Sequence, residues 1–533
     1  MIFVYTKNSR LDKKAEICYT FFINTIRRKQ YDQKNYCFVA LLLCALMLVS
    51  MTMLASCNSD SDESSTASSS DNKSGSIEDY VDMPEFKWAD DDDFSEFRVA
   101  IYSNEQQGTY FCEDIQPNLY STTDASLNAA VTQRNDEILA KYGVTVVGIP
   151  VADVAETIKN DVSSNLKEYH AALPFMPRAA TLAQDDFLYD LNEFKDYLHF
   201  DQPWWDQSAT ESLSIGGKLY FNAGDISIMS KIVSTAITFN KEMLKKSFPD
   251  VDLYQMVKDK EWTFDKMIEM SKEVTADTDG TPGMTYTDTW GLSSAYGDVS
   301  IFYIGGGKNY IKKDSDDIPV VAINEAASTT SIQRILENLQ LVDEWVFHCD
   351  TVPDASQKWV ISLDVFGQNR ALFRTSAFSA IKKLRQYDDA DDFGIVPTPL
   401  LDDNQDEYAT YCSARMAYGI VIPKSLSRNE AEFSAFMIEV MAFGGMKYIT
   451  PSYYDNTLKY RDLRDDESAE MLDLIFDNVV YDLGIIYDFG GISSMIESLM
   501  KSSSTGIASE YESKSNVIQT AIETCLDAYD VEY

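Results

Sequence analysis

The residues of this chain best suited to chemistry are aromatic and acidic rather than nucleophilic. Its 533 residues include 31 Tyr, 7 Trp and 85 Asp or Glu, but only three His. His170, His199 and His348 do not form an HxxxH pair, and no GxSxG, HExxH or Cys–His constellation is present. Cys112, Cys349, Cys412 and Cys525 are widely spaced and form no CxxC pair, which disfavours a zinc site. They are open either to disulfide pairing or to burial as free thiols. Aromatic rings can cover flat apolar ligand faces, while Asp, Glu, Asn and Arg pair with hydroxyl rims in charge-assisted hydrogen bonds. A saccharide is therefore the ligand class that this composition suits, although most aromatic residues of any protein are core.

Nine residues are candidates for ligand contact. Asp225 lies in a Gly-Asp turn, with a purely turn-forming role as the alternative. Trp204 and Trp205 follow Pro203 and read either as a stacking platform or as a core pair. Trp290 follows a Thr- and Asp-rich loop, and Tyr453 with Tyr454 follows Pro451. Arg374, beside Phe373, reads as a partner for a carboxylate or hydroxyl, or as half of a structural ion pair. Asn104 and Glu105 are placed by topology alone, in the loop after the first strand. Trp359 and Tyr387 are further aromatic candidates. Gly305-Gly306-Gly307-Lys308 lacks the spacing and the Ser or Thr of a phosphate loop. Asp277-Thr278-Asp279-Gly280 matches only part of a calcium loop, with Tyr286 where a bidentate Glu belongs. No metal and no cofactor are expected.

The elements that must position these residues begin at Phe97–Tyr102, a strand. A helix over about Leu127–Tyr142 ends at Gly143, the residue favoured just past a helix. Val144–Ile149 is a β-branched run that reads as a buried strand, and about Val154–Leu166 as a helix leading to Tyr169–Pro174. This β-α-β-α-β order predicts a parallel sheet covered by helices, with ligands outside the carboxyl ends of the strands, beside the loops after Tyr102 and Leu173. Lys218–Phe221 and Ala236–Asn240 read as short strands, and Trp262–Val274 and about Ala326–Phe347 as helices. A second α/β region gathers around Phe393–Pro397 and Met416–Ile422. The C-terminal part is mainly helical: Ser427 and Glu430 make a capping box, followed by apolar stripes at Phe433–Met441 and Met471–Val479.

Residues 1–96 read differently. Arg27, Arg28, Lys29 and Lys34 precede the apolar run Cys37–Met53, and Leu54-Ala55-Ser56-Cys57 follows it. A basic flank, an apolar core and small residues before Cys form a secretory signal, here ending in a sequence that resembles the bacterial lipobox. Residues 1–56 are expected to be removed and Cys57 lipidated, with palmitate among the expected acyl groups. Residues 57–96 then act as a Ser- and Asp-rich tether, whose flexible coil reaches roughly 30–40 Å. The expected location is the outer face of a cell membrane. A net charge of −40 repels phosphate backbones, so nucleic acid is not an expected partner.

Several phrases, in order, match one family: LNAAVTQRNDEILAKYGVTV (127–146), DLNEF (190–194), PWWDQSATESLSIGGKLYFNAGDIS (203–227), AITFNKEML (236–244), DDFGIVPTPLLDDNQDEY (391–408), YGIVIPKS (418–425) and TPSYYDNTLKYRDLRDDESAEMLDLIF (450–476). The chain resembles the extracellular solute-binding lipoproteins of bacterial ABC importers, family 1, the class that includes maltose-binding protein. The resemblance implies a two-lobed, periplasmic-binding-protein-like α/β fold over 97–533, with hinge strands and a helical C-terminal part. Lobe 1 is expected over about 97–235 and lobe 2 over about 240–395, each joined by later chain. Gly224 is expected to give backbone freedom at one crossing, and Pro397 and Pro399 to mark another. The implied activity is capture of a sugar or oligosaccharide and its delivery to permease subunits by a monomer that is not an enzyme. Peptide capture on the same fold, or glycoside hydrolysis by paired carboxylates, are the alternatives.

Overall fold

The computed structural model describes residues 94–532, except 109, 121–123, 342–343, 385–386, 388–391, 403 and 455–465. Expectations for the signal segment, the lipobox Cys57, the Asp90–Asp93 run and nearly all of the tether lie outside the described residues. No helix among the described residues is long and apolar enough to cross a membrane.

Lobe 1 grows from the β-α-β-α-β unit. Strands β1 (Glu96–Tyr102), β2 (Thr145–Val151) and β3 (Ala171–Ala172) form a parallel sheet in the order β2-β1-β3. The Ala125–Tyr142 helix is capped at its start by Asp124, and Gly143 closes it in the left-handed region at φ 70°. Gly148 in β2 is packed too closely for a side chain: a Cβ there would stand 2.9 Å from Ile101 Cδ1. Residues 418–423 return from far along the chain and extend this sheet, Val421 bridging Ala172 and Ile420 bridging Asn222. The segment expected as a strand over Lys218–Phe221 pairs only through such single bridges, because the chain turns at Gly216 and Gly217, both at positive φ, immediately before it.

Lobe 2 contains β4 (Thr235–Asn240), β5 (Trp290–Ser294), β6 (Ile311–Lys313), β7 (Pro319–Val321), β8 (Val346–His348), β9 (Ala371–Ala377) and β10 (Phe393–Val396). Five of these strands make one mixed sheet in the order β10-β4-β9-β5-β8, with β5 parallel to both β8 and β9. The helix expected over about Ala326–Phe347 stops at Leu339, because Trp345, Val346 and Phe347 are buried, Val346 and Phe347 as the sheet's edge strand. β6 and β7 form a separate hairpin that grips lobe 1. Asp317 accepts from Ser214 Oγ at 3.0 Å and from the Gly217 amide at 2.9 Å, and Lys313 bonds to Ser214.

Several stretches of the described residues connect the lobes. Residues 222–235 pass out through the short Met229–Val233 helix, and residues 396–418 return through β11 (Thr410–Tyr411). β11 pairs with β12 (Val479–Val480), which follows the Asp466–Phe476 helix. The capping box at Ser427 and Glu430 starts the Arg428–Gly444 helix as expected, and nearly all of that helix is buried. The final helix, Ile507–Ala528, is followed by Tyr529, whose ring lies 4.5 Å from that of Tyr220 of lobe 1, tilted by 50°. Cys112, Cys349, Cys412 and Cys525 are free and buried.

Candidate ligand cleft and hinge pocket

The carboxyl ends of the parallel strands place two dissimilar surfaces beside the hinge. In lobe 1, β1 ends at Tyr102 and β3 leads through Pro174 to Phe175. These two rings stack at 4.3 Å, and Tyr418 from the returning segment lies 5.8 Å from Tyr102 and 5.4 Å from Phe175. The Tyr418 hydroxyl donates to the Tyr110 carbonyl at 2.7 Å, which ties the loop after β1 to this cluster. Burial pushes the Tyr102 phenol up to about 12, so it stays protonated across the physiological range. Asn104 and Glu105 sit in the single-turn helix that follows β1, beside Tyr120.

In lobe 2 the same end of the sheet is polar. Asp298, just beyond β5, accepts from the Ala295 amide at 2.7 Å, from Ser294 Oγ and from Thr375 Oγ1. Its carboxyl is raised by burial, against which these donors and nearby Arg374 act. Arg374 is 5% exposed and donates to Ser376 Oγ at 2.7 Å and Ser362 Oγ at 3.3 Å. Burial lowers the Arg374 pKa and Asp298 opposes that, with Tyr110 of lobe 1 close enough to contribute. Among the described residues no carboxylate forms a salt bridge with this guanidinium. Next to it, Asp350 joins Lys358 Nζ at 2.8 Å to the Tyr296 amide at 2.7 Å. Trp359 is 54% exposed beside Lys358. Tyr387 donates to Asp364 at 2.6 Å.

The other candidates lie elsewhere. Trp204 and Trp205 are buried in lobe 1, where the Trp205 indole N–H donates at 2.8 Å to the buried Glu439 carboxylate and Trp204 packs edge-on against Phe443. Asp225 Oδ1 accepts from Lys231 Nζ at 2.8 Å and from Thr450 Oγ1 at 2.7 Å. Trp290 starts β5, at the opposite end of that strand from Asp298, and donates its indole N–H to the Thr285 carbonyl at 2.8 Å. Tyr453 is buried, and the Tyr454 hydroxyl bonds Asp473. Gly224 is required for close approach rather than for unusual backbone angles: a Cβ there would stand 2.6 Å from the Trp204 carbonyl oxygen.

Trp204, Trp205 and Asp225 line a cavity of about 370 Å³ together with Asp206, Lys231 and Phe476. None of Tyr102, Phe175, Tyr418, Asp298 and Arg374 lines it. Successive residues of an extended segment point to opposite faces. Tyr411, pushed up to about 12 by burial, is influenced by Arg415 and Asp298, whereas Cys412, raised by burial, feels Asp206 and Tyr481. The Tyr481 hydroxyl donates to Asp206 at 2.7 Å.

The two motif-like segments have structural explanations. Asp288 accepts from the amides of Thr278, Asp279 and Thr285, and Asp279 accepts from the Thr281 amide and two threonine hydroxyls, which ties the 277–288 loop together. A Cβ on Gly305 or Gly306 would meet Thr398 or Leu401 at 2.5 or 2.6 Å, and Lys308 pairs with Asp402.

A scan of protein-family models found no match, and neither did a search of curated proteins. Solved structures do match. A cyclo/maltodextrin-binding protein complexed with maltotetraose aligns over 82% of this chain and 98% of its own, at 13% identity and a TM-score of 0.51. UgpB from Mycobacterium tuberculosis, in complex with glycerophosphocholine, aligns over 74% and 95%, at 14% identity and a TM-score of 0.50. The chain has the two-lobed solute-binding-protein fold. These solute-binding proteins are binding proteins rather than enzymes.

Of the sequence candidates, Asn104 and Glu105 lie just after β1 and Arg374 lies in β9; Tyr110, Tyr296, Asp298 and Tyr418 were not among the sequence candidates. The rule that pointed to Asn104 applies equally to the residues after β5. β5 itself, Trp-Gly-Leu-Ser-Ser, has no β-branched residue to announce it as a strand.

Proposed function

We propose that this protein is the solute-capturing component of a bacterial ABC importer, closing its two lobes on a sugar or oligosaccharide and handing it to permease subunits. The observation that carries this reading is the two-lobed solute-binding-protein fold, with an aromatic cluster at the strand ends of lobe 1 and the hydroxyl-supported guanidinium of Arg374 in lobe 2. The rings suit the apolar faces of a sugar and the guanidinium suits its hydroxyl rim. Binding without covalent chemistry fits the thiols, whose burial holds them protonated. Closure follows from binding when the closed arrangement holds the ligand more tightly than the open one.

A thermal-shift panel tests the reading. A maltooligosaccharide present at 100 times its Kd should stabilise the fold by about 2.7 kcal/mol. If oligopeptides raise the melting temperature and no saccharide does, the sugar assignment is wrong. We place the protein on the outer face of the membrane through lipid on Cys57. Cys57→Ala should abolish incorporation of labelled palmitate, and retention of the label would remove the anchor from this account.

A further inference from the structure

The cavity lined by Trp204, Trp205 and Asp225 carries polar groups unlike those at the strand ends. Three carboxylates, Asp206, Asp225 and Asp477, line it against the single ammonium of Lys231. Lys231 is committed to Asp225 Oδ1 at 2.8 Å, so it offers an incoming anion little. Among the described residues no donor reaches Asp225 Oδ2, and none reaches the side chain of Asp477. Asp206 is satisfied at both oxygens, by the Ala209 amide and the Tyr481 hydroxyl, and so contributes charge without competing for a ligand's hydrogens. Phe476, half-buried at the rim, adds an aromatic face, which favours a cation with a hydrocarbon body over a bare metal ion. About 370 Å³ accommodates a short aliphatic amine.

We propose that this hinge pocket is a second ligand site, one that takes a small organic ammonium with its charged nitrogen between Asp225 and Asp477 and its carbon chain against Phe476. The site is separate from the cleft and does not depend on the identity of the transported solute. Its walls come from residues 203–208 of lobe 1 and from residues 224–231, Thr450 and 476–479, so an occupant touches the 222–235 connection between the lobes as well as lobe 1 itself.

Calorimetry on the full-length protein tests this, with cadaverine as the probe and glutarate and magnesium chloride as comparators. Cadaverine should bind at one equivalent, and glutarate should not bind. Asp477→Asn should weaken cadaverine at least tenfold; that side chain is exposed and makes no hydrogen bond, so the fold is retained. Asp225→Asn should weaken it further. Four results would overturn the proposal: no saturable cadaverine uptake, uptake of glutarate instead, displacement of cadaverine by equimolar magnesium, or equal cadaverine affinity in both variants and the unaltered protein.

Discussion

The proposed ligand cleft has two walls that differ in kind. Lobe 1 contributes stacked rings, Tyr102, Phe175 and Tyr418, whereas lobe 2 contributes Arg374, Asp298, Thr375 and the Asp350–Lys358 pair. Apolar contact is broad and tolerant of shape, while a buried guanidinium demands particular acceptors. The comparison teaches that affinity and selectivity can be divided between lobes, one wall covering a ligand and the other reading it.

The largest effect should come from the reading wall. Arg374→Met removes charge-assisted bonds and should cost about 2–3 kcal/mol of ligand affinity, on the order of 100-fold by calorimetry. An unchanged affinity would mean that Arg374 serves only Ser362 and Ser376.

Behind the lobe 1 wall, His170 accepts from the Arg98 amide at 3.1 Å and packs against Phe433. Burial, aided by Arg98, lowers its pKa from 6.5 to about 3. The unfolded chain therefore takes up this proton first as pH falls. The stability that neutral His170 contributes is complete above pH 6.5 and declines by up to about 1.4 kcal/mol per pH unit towards pH 3. Urea titrations of His170→Gln and the unaltered protein at pH 7 and 5 should show a flatter dependence in the variant. Parallel curves would contradict the burial.

A smaller loss is expected from the covering wall. Phe175→Leu retains bulk but removes the ring, and should weaken ligand by about 1 kcal/mol, or roughly fivefold. The smallest effect sharpens the comparison most. If the walls act on separate faces of one ligand, Phe175→Leu and Arg374→Met should combine additively to within about 0.5 kcal/mol. A larger coupling would show the ring and the guanidinium working on the same ligand group.

The architecture of lobe 1 was legible because its signals are local. Asp124, Gly143 and the Ser427–Glu430 capping box mark helix ends within a turn of where they act. The site was less legible because residue type does not reveal depth. Trp204 and Trp205 have the chemistry of a sugar platform, yet Glu439, 234 residues from Trp205, draws the indole N–H into the core. Asp225 belongs to a pocket completed by Thr450 and Phe476, far along the chain. Helical periodicity over 326–347 overran its true end because Trp345-Val346-Phe347 suits a buried strand equally well.

The four buried thiols have a practical consequence. Among the described residues none presents an exposed sulfur, and burial holds each thiol protonated. A single cysteine introduced at an exposed cleft position, such as Glu105, would then be the one site in the two-lobed body that a maleimide dye labels readily. Lobe movement could be followed optically on an otherwise unaltered molecule, turning the receptor into a reporter of its own solute.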